Sequence, residues 1–303
     1  MQTLSTTYDV IIIGGSYAGL SAALALGRSL RKVLVIDSDN ACNKKAAYSH
    51  NFLTRDHFSP DELRRSSREQ VLVYPTVQCM DGLATDIEIM ENGFTVLLED
   101  GSTFTSRKVL LATGVTDLIP NIPGFSDCWG ISILHCPYCH GYENKGKKTA
   151  VIGNGDQGFI LAKTIRQWTD KLTLYTNGTS TLSPEETYRL NQHDILIVQN
   201  DITEIVHDNG AIVKVHFADT LPETPEVIYV QLPFKQQCDI PAKLGMEMTE
   251  KGFIFISHAM ETSIPGIYAA GDCLSFFRSV AHAVASGNKA GAIINKCLIE
   301  EDF

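Results

Sequence analysis

Residues 8–37 read YDVIIIGGSYAGLSAALALGRSLRKVLVID. The segment from Tyr8 to Ile13, with its β-branched run Val10 to Ile13, suits a parallel strand buried on both faces, because such a strand has no solvent side on which to alternate. Gly14 to Gly19 is a turn, Leu20 to Ser29 a helix, and Lys32 to Ile36 a second strand closed by Asp37. This is a βαβ unit. In the dinucleotide fingerprint the first glycine makes the turn, the second admits a pyrophosphate, and the third lets helix and strand pack closely. Gly14 and Gly19 hold the outer places, while Gly15 and Ser16 occupy the middle. Asp37 stands near the ~20-residue offset at which a carboxylate meets a ribose. An ordinary α/β turn is the alternative reading of this loop taken by itself.

A second such unit starts at Thr149. Ala150 to Ile152 reads as a strand, Gly153 to Gly158 as a turn, Phe159 to Trp168 as a helix and Lys171 to Tyr175 as a strand. Here Gly153, Gly155 and Gly158 complete GxGxxG, so a pyrophosphate site is sterically available. Between the two units, Gly93 to Leu98 and Lys108 to Ala112 are expected strands, and the proline-bearing stretch from Ile119 to Gly124 is an expected crossing. Phe253 to Ile256 and Gly266 to Ala269 are expected strands as well, followed by a helix of small residues from Val280 to Cys297.

Composition narrows the function classes. A chain of 303 residues with 44% hydrophobic content is long enough for two cores. The formal charge of −10 and the lack of a basic run argue against a nucleic acid or an anionic membrane as partner. No apolar stretch nears the roughly 20 residues of a membrane span. The polar start, Met1 to Val10, lacks the pattern of an export signal, so a cytoplasmic location is expected. Of eight cysteines, only Cys136 and Cys139 form a close pair.

In a reducing compartment a CxxC pair is redox-active or metal-binding more often than structural. At a helix start, the dipole and free N–H groups stabilise a thiolate on one of the two sulfurs. Four readings of this centre stay open on the residues alone. They are a redox disulfide, a c-type haem attachment at CxxCH, a zinc site using His135, Cys136, Cys139 and His140, and two buried structural thiols. Cys42, Cys79, Cys128, Cys238, Cys273 and Cys297 have no partner at short spacing.

With these motifs in hand, the chain resembles the low-molecular-weight thioredoxin reductases, especially CxxCH members acting on small-molecule disulfides and dithiols. The resemblance runs nearly end to end. It is carried by the first glycine loop, Ala112-Thr113-Gly114, the Cys136-Pro137-Tyr138-Cys139-His140 centre, the second glycine loop, and Gly266 to Asp272. It implies an α/β fold of two Rossmann-like doubly wound domains. An FAD domain of residues 1–114 and 245–303 would be interrupted by an NAD(P)-type domain, 115–244, carrying the cysteine pair. It further implies FAD held by Gly14, Gly15, Ser16, Gly19, Asp37, Asn51, Thr113, Gly114, Gly271, Asp272 and Val280, with Asp272 on the ribityl chain. Gly153, Gly155 and Gly158 would receive NADPH or NADH. Cys139 would face the flavin, Cys136 would attack the substrate, and His140 would move the proton in place of the family's usual aspartate.

The implied partner is a thioredoxin-like protein or a small-molecule disulfide or dithiol, and the implied assembly a homodimer. Two departures bear on this scheme. After Tyr175 the chain reads Thr176-Asn177-Gly178, where relatives place arginines for a 2′-phosphate; Arg189 is the nearest arginine downstream, and no carboxylate ends the strand. Arg278-Ser279 also stands where many relatives have an Arg-Gln pair. A dithiol oxidase passing electrons to oxygen, a reductase fed by a donor other than a nicotinamide, and a flavin redox sensor without turnover are therefore rival expectations.

Overall fold

The computed structural model describes residues 7–303; residues 1–6, part of the stretch read as lacking an export signal, lie outside them. The chain divides into two compact units. The first holds the described residues up to Lys44, Asn51–Thr116 and Phe234–Phe303, and the second Lys45–His50 and Asp117–Pro233. The expected return at 245 thus moves to Phe234. The reason is packing: Ile240 and Met246 are buried among Leu34 and Ile36 of the first unit, with Leu244 against them. Residues 45–50 join the second unit, where Lys45 Nζ donates to the Ser126 carbonyl at 2.9 Å.

In the first unit a seven-stranded sheet runs in the order Val77–Asp81, Val33–Asp37, Thr7–Ile13, Thr103–Leu111, Gly93–Leu98, Ala84–Met90. Ile267–Ala269 pairs in parallel with the far half of Thr103–Leu111. The first four strands are parallel and the last two turn back as an antiparallel pair. Strand parity sorts the core. Val10, Ile12, Val33, Val35 and Leu110 meet the helices Tyr17–Arg28, Pro60–Leu72 and Val280–Asp302 on one face. Ile11, Ile13, Leu34, Ile36, Val109 and Leu111 meet Ile87, Phe94, Val96 and Ile240 on the other. Each such side chain contributes about 1.5–3 kcal/mol by leaving water.

The first and last helices touch along a seam of small residues. A Cβ on Gly287 would stand 2.0 Å from the Ala18 carbonyl oxygen, so only glycine allows this approach. Ser21 Oγ donates to the Val284 carbonyl at 2.7 Å along the same seam. Phe253–Ile256 is not the strand expected from its composition. It meets Met248 through one bridge, at Ile254, and enters the core as a loop whose Ile254 N–H bonds the Cys273 carbonyl.

The second unit carries a parallel five-stranded sheet ordered Leu196–Val198, Leu172–Tyr175, Thr149–Ile152, Val227–Val230, Ile133–Leu134. One face packs Val151, Leu172 and Leu174 on the helix Gly155–Ile165. The other packs Ala150, Tyr175 and Ile228 on the antiparallel pair Ile202–Asp208 and Ala211–Phe217. The helix expected from Phe159 starts earlier, at Gly155, because Asn154 caps it there. No helix among the described residues is long and apolar enough to cross a membrane.

Candidate active site

Cys136 and Cys139 are joined as a disulfide, with Cα atoms 5.3 Å apart. Pro137 sets the first turn of a short helix, Pro137–His140, and Cys136 caps it: its Sγ accepts from the Cys139 N–H at 3.1 Å. Joined sulfurs are not the thiolates that a zinc site needs, which sets that reading aside. Both cysteines are half-buried, while Tyr138 beside them is 66% exposed, so the centre lies within reach of the surface. Tyr138 meets Trp168 edge-on at 5.8 Å, and the Lys145 ammonium sits 4.0 Å from the centre of the Tyr142 ring.

His140 follows the second sulfur. Its backbone carbonyl accepts from Asn144 Nδ2 at 2.8 Å, which fixes the turn behind it. Burial pushes the imidazole below its ordinary pKa, the neighbouring His50 pushes the same way, and Glu143 opposes both. A neutral imidazole near neutral pH is the form that accepts a thiol proton. His50 and Glu143 went unnoticed as functional residues in the sequence. Glu143 carries a faint signal, three residues after His140 on one side of the turn; His50 carries none, since only folding brings residue 50 to residue 140.

In the first unit, Gly14 to Ser16, Asp37, Ala112 to Gly114 and Ala270 to Asp272 follow the ends of neighbouring strands at one edge of the sheet. The Gly14 N–H bonds the Ile36 carbonyl, the Ala112 N–H bonds Ile13, and the Ala270 N–H bonds Leu111. Gly14 takes φ +107°, and a Cβ on Gly19 would fall 1.8 Å from the Gly14 carbonyl oxygen, so this tight turn requires both glycines. Gly15 lies against the Asp37 side chain. The Gly271 N–H bonds Ser286 Oγ at 3.0 Å, Asp272 accepts from the Cys42 thiol at 3.8 Å, and Val280 opens the last helix. Asn51 takes φ +62° with its N–H on Asp56 Oδ1, and Phe52 beside it packs on the core of the first helix.

These residues fit FAD. The first helix has no side-chain cap from Ser16 and no acidic residue in its first turn. The helices Pro60–Leu72 and Pro184–Gln192, by contrast, are each closed by a serine–glutamate capping box. Open N–H groups after a glycine turn make a pyrophosphate seat. Thr113 buries its hydroxyl without a hydrogen bond of ordinary geometry; the Cys238 thiol beside it is at most a weak partner. Beside Gly114 no atom lies within 4 Å of where a side chain would begin.

The second glycine loop is built differently. Gly153 and Gly158 pack back to back, and Gly155 opens the helix. Asn154 Oδ1 accepts from the Gly155 N–H at 2.9 Å, the Thr181 N–H at 2.8 Å and the Thr181 hydroxyl at 3.1 Å. Its amide donates to the Thr179 carbonyl at 2.9 Å. The segment after Leu172–Tyr175 is thus fastened across the mouth of the loop, and Asp156 adds a negative charge in the helix's first turn.

Known proteins resemble this chain in sequence and fold. The family described as pyridine nucleotide-disulphide oxidoreductase matches residues 8–287. Thioredoxin reductase tcpT of Claviceps purpurea (strain 20.1) is 32% identical over 99% of this chain and 97% of its own. Thioredoxin reductase sirT of Leptosphaeria maculans is 31% identical over 98% and 97%. Among solved structures, the putative thioredoxin reductase TrxB from Bacillus anthracis has a TM-score of 0.93 at 29% identity, covering 97% of this chain and 100% of its own. An oxidoreductase from Agrobacterium tumefaciens has a TM-score of 0.91 at 34% identity, covering 97% and 99%. An open pyrophosphate seat, a second glycine loop and a CxxC disulfide, in a chain matched along its whole length, make this protein a member of the pyridine nucleotide-disulphide oxidoreductase family, a thioredoxin reductase-like flavoprotein that uses FAD.

Proposed function

We propose that the protein catalyses dithiol–disulfide exchange between Cys136/Cys139 and a substrate disulfide, drawing electrons from NADPH or NADH through FAD. The observation that carries this reading is the Cys136–Cys139 disulfide beside a buried imidazole held in its neutral form. FAD, when bound, supplies the two-electron carrier, with Gly14, Gly15, Ser16, Gly19 and Asp37 on its pyrophosphate and ribose side and Thr113, Gly114, Asp272 and Val280 on its remainder. In the reduced protein, Cys136 gives its proton to His140 and its sulfur attacks the substrate disulfide. A Cys136–substrate bond forms, the substrate S–S bond breaks, and the departing sulfur takes the proton from His140. Cys139 then attacks Cys136, releasing the second substrate thiol and restoring the enzyme disulfide.

The exposed rings of Tyr138 and Tyr142 flank the centre and favour a small apolar disulfide over a charged one. A thioredoxin-like protein is the other candidate acceptor, and kcat/KM for the two distinguishes them. The family likeness supports a homodimer, which light scattering tests, and the reducing chemistry supports a cytoplasmic location.

A second reading is favoured by the Asn154–Thr181 fastening and by the absence of arginine in residues 176–181. In it the electrons run the other way, from a substrate dithiol to FAD and on to oxygen. Anaerobic stopped-flow mixing with NADPH, NADH and a small dithiol separates the two, followed by flavin absorbance. Rapid bleaching by a nicotinamide supports the reductase. Bleaching by the dithiol alone makes the protein a dithiol oxidase, and bleaching by none of them overturns both readings.

A further inference from the structure

The exchange scheme asks His140 to be empty of a proton when a thiol arrives and to lose that proton readily afterwards. The second unit contains a neighbour suited to both demands. His50 has a side chain only 10% exposed, and its Nδ1 lies 3.6 Å from Glu143 Oε1. Its ring stands 6.4 Å from the ring of His140 at 87°, edge to face. Three stretches of chain build this cluster: residues 45–50, the helix Pro137–His140, and the turn after it, which Asn144 ties to the His140 carbonyl.

We propose that His50, held by Glu143, is a positioning residue for His140: it holds that ring edge-on and places its own charge where it opposes a proton on His140. The inference rests on His140 being the base of the proposed exchange. Two imidazolium rings this close repel each other, so a proton arriving on one ring favours release from the other. The Glu143 carboxyl opposes that repulsion. Other polar and charged groups stand near the pair. Cys136 and Cys139 are joined in the resting protein, and the Tyr48 ring lies 6.5 Å from His50. The Tyr229 phenol is kept protonated by burial, its pKa pushed up to about 12. The Lys147 ammonium is engaged by Asn144 Oδ1 at 2.9 Å, and that of Lys145 sits over Tyr142.

The test is a titration of the histidine ring signals by NMR in the oxidised, FAD-loaded protein, with the His140 signal assigned by its loss in His140→Gln. His50→Gln removes the neighbouring charge and should raise the His140 midpoint by about one pH unit, given two partly buried charges at this spacing. The acid limb of kcat should move by the same amount, about three- to sevenfold slower at pH 6 and within twofold at pH 8.5, with KM unchanged. If His50→Gln does not fold, His50→Asn carries the same expectation, with the circular dichroism of the bound flavin as the check on folding. A His140 midpoint that stays or falls overturns the proposal, as does a moved midpoint with an unmoved rate profile. An acid limb that survives in His140→Gln overturns instead the assignment of His140 as the base.

Discussion

Asn154→Ala tests how the second glycine loop works. Four hydrogen bonds run through this side chain, three accepted by Oδ1 and one donated by the amide. In a half-exposed setting each contributes about 0.5 kcal/mol, the low end for a neutral bond, so the fastening amounts to about 2 kcal/mol. A nucleotide phosphate that takes the Gly155 N–H must first break it. The competent, unfastened form is then about one molecule in thirty, and nicotinamide affinity is weakened by the same factor. Asn154→Ala should therefore lower the concentration of NADPH or NADH giving half-maximal anaerobic flavin bleaching by about 10- to 30-fold. The lost fastening, which includes the helix cap, costs about 2 kcal/mol in urea unfolding. Dithiol-driven bleaching should be unchanged, because Asn154 is not part of the cysteine centre. A variant that binds nicotinamide more weakly than its parent refutes the reasoning, because the fastening would then belong to the bound conformation. Absent bleaching in both proteins refutes it too, since the fastening would not be what excludes the nucleotide.

Three further outcomes follow from the geometry. Gly287→Ala forces the last helix away from Ala18, and the overpacking outweighs the gain in helix propensity, leaving a net loss of about 1–2 kcal/mol in urea unfolding. Weaker FAD binding by fluorescence should accompany it, because Ser286 next door holds the Gly271 N–H, whereas exposed Asn288→Ala should be neutral or slightly stabilising. Cys136→Ser and Cys139→Ser should each abolish turnover of a dithiol or disulfide while leaving the protein yellow; turnover retained in Cys136→Ser removes the exchange scheme. Burial opposes it, but Lys108 and Arg107 hold the Glu301 carboxyl below its ordinary range, and Arg31 and Arg107 do the same for Asp302. Depressed carboxylates stabilise the fold above their unfolded values, near pH ~4, and lose that contribution as pH falls through the folded ones. Arg107→Gln should thus be less stable than the parent at pH 7 and converge on it near pH 2 in an acid unfolding series.

Where a local pattern and the fold make the same demand, the sequence could be read. The run Ile11-Ile12-Ile13 has to be buried on both faces, and it is, each residue in one or other core by parity. The small residues after Val280 announce a closely packed helix before its partner is known. Composition misleads at Phe253–Ile256, because strand-like residues suit any buried segment, and here they pair with a neighbour through one bridge alone. It misplaces the return to the first unit because nothing in residues 234–245 marks which core Ile240 will join. The fastening of the second loop was invisible for another reason: Asn154 is an ordinary cap in sequence, and only folding brings Thr179 and Thr181 within its reach. Glu143 and His50, 93 positions apart, meet by the same route.

The same burial that shapes the cores also decides which sulfur can react. Thiol exchange proceeds through thiolate, so a cysteine held as thiol is silent even when a disulfide is near. Burial pushes up the thiols of Cys79, Cys128 and Cys238, and takes Cys273 to about 12. At neutral pH, Cys273 then carries about a thousandth of the thiolate of an ordinary exposed cysteine. Cys42 is exposed, and its thiol donates a hydrogen bond to the Asp272 carboxylate. Cys136 and Cys139 differ in kind. Half-buried, they sit at the head of a helical turn whose N–H groups face them, next to an imidazole that burial keeps neutral. Selectivity over Cys79, Cys128, Cys238 and Cys273 therefore comes not from the CxxC spacing alone but also from burial that withholds ionisation from those four. A chain with the same motif and a looser core around Cys128 or Cys273 should therefore exchange at those sulfurs more readily than this one does.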